Sequence, residues 1–185
     1  MATAKNKLIT AEDLLRLSGQ GVKGELIRGV LRETVSVGKV HARIAGRIIT
    51  GFNNFVIPRR LGQVGGTDGG VLIEHNPDTV REPDVYFVSA ERLPLDDESD
   101  GYLEVMPELI VEIVSPSDSE RDVREKISMW LNLGVSIALE VRPAERAVMV
   151  HRAGVPAVTL TSDDAPDGGD VLPGFSLPLS KIFDV

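Results

Sequence analysis

The chain has 185 residues, 42% of them apolar and 26% charged, with no cysteine, which points to a single domain over 1–185 and excludes disordered, fibrous, disulfide-stapled and thiolate-metal classes. No apolar run approaches the roughly 20 residues of a membrane span, and the opening MATAKNKLITAEDLL lacks the apolar core of a secretory signal; a cytoplasmic protein with residues 1–9 flexible is expected. Twenty basic residues against 28 acidic ones give a net charge of −8, which taken alone speaks against a polyanionic partner.

Thr10, with Asp13 three residues on, has the pattern of a capping box and opens a short helix through Leu14, Leu15 and Leu17 that Gly19 and Gly21 end. Glu25 to Ile27 and Val30 to Val35 predict two strands around an Arg28-Gly29 turn, an N-terminal hairpin. From Lys39 to Val56 the apolar residues Val40, Ile44, Ile48, Phe52 and Phe55 recur at steps of three and four, one stripe of an amphipathic helix that Pro58 is expected to stop. This helix lies in a stretch, between Glu33 and Asp68, that has no acidic residue and holds Lys39, Arg43, Arg47, Arg59 and Arg60. Such a stretch either meets an anion or pairs with acidic loops elsewhere.

Short strands are expected at Gly62 to Gly65, at Val71 to Glu74, and at Val85 to Val88 behind the Glu82-Pro83 break. Glu91 to Glu104 is acidic, with Pro94 and Gly101, and predicts a surface loop. The run Glu108 to Val114 (ELIVEIV) is dense in β-branched residues and predicts a central strand. After Pro116, Ser117 or Asp118 can cap a helix to Leu133, with Gly134 as its stop. Val135 to Val141 and Ala147 to Val150 make a further hairpin around Pro143, and the turn-rich Asp163 to Asp170 leads to a closing segment through Phe175 and Ile182. The order predicts an α/β (α+β) fold, a central mixed sheet flanked by helices with added N- and C-terminal hairpins.

Three polar residues stand out. Glu112 interrupts LIVEIV. On a central strand its carboxylate must be paired, protonated or metal-bound, because leaving it bare costs at least several kcal/mol; on an edge strand it would share a wet face with Glu108. Asp84, after Pro83 and before VYFV, is either a ligand presented at a strand's start or a turn residue. Lys126 flanks the apolar stripe Val123, Ile127, Trp130 and Leu131, and either reaches toward the sheet or snorkels to solvent. Together, two carboxylates and a lysine are the parts of metal-assisted phosphodiester hydrolysis with Mg²⁺ or Mn²⁺.

The runs GELIRGVL, REPDVYFVSAERL, ELIVEIVSPSDSERDVREKISMWLNLGVSIALEVRP and VLPGFSLPLSKIF resemble the Uma-type endonuclease family of the PD-(D/E)xK, restriction-endonuclease-like superfamily, in order from Thr10 to Phe183. The resemblance implies a restriction-endonuclease-like fold and a Mg²⁺-dependent endonuclease. Asp84 matches the Asp of the Pro-Asp motif and Glu112 the second metal carboxylate, with the backbone carbonyl of Ile113 as a further ligand. Val114 stands where the superfamily has lysine, a role Lys126 takes over from the next helix. Glu25 matches a glutamate of the first hairpin, an extra metal or water ligand. His41 matches a histidine that contacts phosphate or caps its helix. Lys39, Arg43, Arg47, Arg59 and Arg60 become the expected phosphate contacts, the partner nucleic acid, DNA before RNA, and the assembly a homodimer. Arg28 replaces a common Asp, Trp130 a common Tyr, and Glu140 interrupts a strand that is apolar in relatives. Two rivals stand beside this reading: a catalytically silent nucleic-acid- or protein-binding module, and a hydrolase of small phosphate esters.

Overall fold

The computed structural model describes residues 8–34, 37–66 and 68–184. Of the flexible start expected over 1–9, residues 1–7 lie outside the described residues, as does Val35, where the second strand was expected to end. Ile9 is tied down by its N–H, which donates to Gly29 O at 2.9 Å.

The centre is β7 (Leu109–Ile113), buried at all five positions. It pairs antiparallel with β6 (Val85–Ser89) and parallel with β8 (Ile137–Arg142). The sheet continues through β9 (Ala147–Arg152) to β10 (Val155–Thr161) on one side and to β3 (Gly62–Gly66) on the other, six strands in the order β10-β9-β8-β7-β6-β3. Strand alternation sends Leu109, Val111 and Ile113 to one face and Ile110 to the other. The first face is covered by α2 (Lys39–Arg59) through Ile44, Ile48, Phe52 and Val56, and the second by α3 (Glu120–Asn132) through Val123, Ile127 and Trp130. α3 is also the crossover that the parallel β7/β8 pair needs. A smaller antiparallel sheet, β2 (Val30–Glu33), β1 (Gly24–Ile27), β5 (Thr79–Arg81) and β4 (Val71–Glu74), packs Leu26 and Val80 against Leu14 of α1 (Ala11–Ser18). β11 (Asp167–Gly168), β12 (Leu172–Ser176) and α4 (Leu179–Phe183) close the α2 side. This is the expected mixed α+β architecture.

The Thr10 capping box and the Arg28-Gly29 turn form as expected; both turn residues are left-handed, φ 49° and 76°, which matches the twist of a two-residue hairpin. Pro58 does not stop α2. It sits in the last turn, and the helix ends at Arg60, whose left-handed φ of 54° lets its N–H reach back to Val56 O and Ile57 O. The cap of α3 is Ser119, whose hydroxyl accepts the Asp122 N–H at 3.1 Å. Neither Ser117 nor Asp118 fills that place, because the Asp118 carboxylate turns back to accept the Ser115 N–H at 2.7 Å. Among the described residues no helix is long and apolar enough to cross a membrane.

Candidate active site

The β6/β7 register pairs Val85 with Val111, so one residue further along Asp84 stands opposite Glu112. Asp84 Oδ2 accepts the Ile113 N–H at 2.7 Å, which fixes its carboxylate beside the Glu112-Ile113 peptide. Glu112 is 7% exposed and points to the α3 face. Its two oxygens are gripped from one side of α3 by residues four apart: Trp130 Nε1–H donates to Oε1 at 2.7 Å and Lys126 Nζ to Oε2 at 2.8 Å. Lys126 Nζ also donates to Glu82 O at 3.1 Å and lies 3.5 Å from Glu25 Oε1. Glu25 Oε1 accepts the Glu82 N–H at 3.0 Å, and Oε2 forms an ion pair with Arg81, whose Nε lies 2.9 Å away.

These groups line a cleft of about 730 Å³ in which eight carboxylates face only Lys23, Arg81 and Lys126 as full cations. Burial pushes the Glu112 carboxyl up to about 7, with help from the Asp84 charge and against the pull of Lys126. Burial, then Glu25 and Asp68, push Glu82 up to about 7 as well. Burial alone would lower Lys126, but the Glu112 and Glu25 charges outweigh it and hold the ammonium above its ordinary value. Among the described residues no three His, Cys, Asp or Glu side chains form a ready metal cage. What the cleft offers is two hard carboxylates, Asp84 and Glu112, next to the Ile113 peptide. That set suits Mg²⁺, which keeps several waters and needs one or two protein carboxylates. The surplus of negative charge gives the cation a reason to bind.

The Uma2 family profile, described as "Putative restriction endonuclease", matches residues 11–180. The chain belongs to the Uma2 family. No curated protein is similar enough in sequence to match it. A solved structure described as "a putative nuclease belonging to DUF820", from Anabaena variabilis, shares 20% identity over 95% of this chain and 97% of that one, with a TM-score of 0.78. At that identity the likeness is one of fold.

In this Uma2 chain the expected site residues divide between two places. Asp84, Glu112, Ile113, Lys126, Glu25 and His41 gather in the cleft. His41 is buried there and does not face solvent; its Nε2 lies 3.2 Å from Asp84 Oδ2, and its buried Nδ1 has no partner among the described residues. Burial pulls its pKa down, but the hydrogen bond and charge of Asp84 raise it overall. Arg43, Arg47 and Arg59 instead line a separate groove on α2, while Lys39 and Arg60 are exposed at the helix ends and line neither cavity. Glu140, beside Glu112 in the parallel β7/β8 register, is 1% exposed and is held by Arg142 and by His151 Nε2 at 2.8 Å. The residues not singled out from sequence are Glu82 and the donor role of Trp130. A signal existed for the second: a buried indole N–H needs an acceptor, and Trp130 lies one helical turn beyond Lys126.

Proposed function

We propose that this Uma2 chain is a Mg²⁺- or Mn²⁺-dependent endonuclease that hydrolyses phosphodiester bonds in nucleic acid. The observation that carries the reading is that Asp84, held on the Ile113 N–H, and Glu112, under the Lys126 ammonium, line one cleft. Asp84, Glu112 and the Ile113 carbonyl would hold the cation. When bound, it supplies Lewis acidity toward a phosphoryl oxygen and makes water acidic enough to react near neutral pH. Lys126, charged across the physiological range, serves as a fixed donor that orients water and stabilises negative charge as it develops on the phosphoryl group. It is not the base. Glu82, pushed up to about 7 at the same cleft, has the proton affinity suited to accept a proton from the attacking water. Glu25 positions both, through Lys126 and the Glu82 N–H.

The family description supports DNA over RNA, and the family resemblance a homodimer and a cytoplasmic setting. The test is cleavage of assorted DNA and RNA with Mg²⁺ or Mn²⁺, beside Asp84→Ala and Lys126→Ala. Metal-dependent cutting lost in both variants is the expected result. No cutting by the unaltered protein, or equal cutting by both variants, overturns the assignment. A fold that divalent metal fails to stabilise would favour the silent binding module, and turnover of small phosphate esters alone would favour the esterase.

A further inference from the structure

The face of α2 turned away from the sheet carries a second cavity, about 620 Å³, that shares no lining residue with the cleft. Arg43, Arg47 and Arg59 of α2 and Lys181 of α4 line it, and no acidic residue does. Among the described residues none of these four cations forms an ion pair. In a chain with 28 acids against 20 bases, four cations left without carboxylate partners along one groove are available to an external anion. Two of the guanidiniums are already positioned. Arg47 Nη1 donates to Ile182 O at 3.1 Å, and Arg59 Nη1 donates to Phe55 O at 3.1 Å with its guanidinium 4.2 Å from the Phe55 ring centroid.

Length decides between a small anion and a polymer. At about 1.5 Å per residue, the sixteen steps from Arg43 to Arg59 span roughly 24 Å, which one phosphate cannot fill and about seven nucleotides of one strand, at roughly 3.4 Å each, can. The same helix begins at the cleft, where His41 touches Asp84, so α2 is a rigid link between the two places. We infer that the groove is a track for a nucleic-acid phosphate backbone, which holds the part of the substrate flanking the segment presented to Asp84 and Glu112. The role of the flank rests on the nuclease reading of the cleft; binding in the groove does not.

Arg43 and Lys181 are exposed and lie outside the cleft, so Arg43→Gln with Lys181→Gln leaves the core intact, a point checked by circular dichroism. Binding of fluorescein-labelled duplex DNA, single-stranded DNA and RNA of about 24 nucleotides, long enough to fill the groove, is measured by anisotropy in EDTA over a salt series. The double variant is expected to bind roughly tenfold more weakly and to lose about two from the magnitude of the log K against log salt slope, whereas Asp84→Ala binds no more weakly than the unaltered protein. With Mg²⁺, the double variant is expected to raise KM and spare kcat. Unchanged affinity and slope in the double variant overturn the inference, as does tighter binding to phosphatidylglycerol vesicles than to any nucleic acid. Loss of binding in a protein that never cuts leaves the groove standing and removes only the nuclease reading.

Discussion

Replacing Lys126 by methionine keeps the stem and removes the ammonium that lies 2.8 Å from Glu112 Oε2. The cost depends on the charge state of Glu112. Its folded pKa of about 7 lies above the ordinary 4.5, so the folded protein holds this proton more tightly than the unfolded chain. The contribution of Glu112 is therefore most favourable below pH 4.5, falls as pH rises from there to 7, and is level above; 2.5 units correspond to about 3 kcal/mol. At pH 5 the carboxyl is protonated in the fold, and Lys126→Met loses the bond to Glu82 O and the looser 3.5 Å approach to Glu25, together about 1 kcal/mol. At pH 9 it leaves a buried carboxylate with only the Trp130 N–H, and the cost rises to about 3 kcal/mol. Urea unfolding at the two pH values reads this directly. Adding Glu112→Gln to Lys126→Met should remove the pH dependence, because the amide oxygen still accepts from Trp130 and carries no charge. An equal cost at pH 5 and pH 9 would refute the claim that Lys126 balances an ionised, buried Glu112.

Arg142→Ala strands Glu140 with His151 alone and is expected to cost about 3 kcal/mol at neutral pH, while leucine at both 140 and 142 recovers most of it; a loss under 1 kcal/mol in denaturant unfolding would contradict the buried network. Ser119→Ala removes the cap of α3 and should cost about 1 kcal/mol, seen as a lowered Tm, whereas Ser117→Ala leaves Tm unchanged. Gly62→Ala drives a Cβ into Val88 O of the neighbouring strand, so β3 must separate from β6. Faster amide exchange along Val85–Ser89 is the expected readout, and unchanged exchange there would count against the pairing.

The chemistry of the cleft was legible because it breaks strong local patterns. A glutamate inside LIVEIV and an aspartate held by a proline are anomalies that a buried strand has to accommodate, and the fold places both on one cleft. His41, expected to contact a phosphate or cap its helix, sits three and four positions before Ile44 and Ala45 and so on the buried stripe of α2. β10 went unread because it is an edge strand, exposed at every position but Leu160, and an element with no buried face leaves no alternation to detect. The α3 cap, Ser119, lies one or two residues beyond the expected Ser117 or Asp118 because all three residues suit the position, and only the turn that engages Asp118 decides among them.

The net charge of −8 conceals a separation that matters more than its sum. Eight carboxylates against three full cations make the cleft repel phosphate until a divalent cation offsets them, whereas the α2 groove, with four cations and no acid, attracts phosphate without metal. The two steps should therefore respond differently to solution conditions. Salt weakens the groove by competing at its phosphate contacts. It acts less on Glu112, 7% exposed and held at 2.8 Å by Lys126, because buried pairs are poorly screened. If the groove and the cleft act as proposed, the protein would gather nucleic acid along one helix face yet not accommodate the scissile phosphate until its acidic cleft is neutralised. On the nuclease reading proposed for the cleft, control of cutting would then fall on metal occupancy rather than on substrate binding.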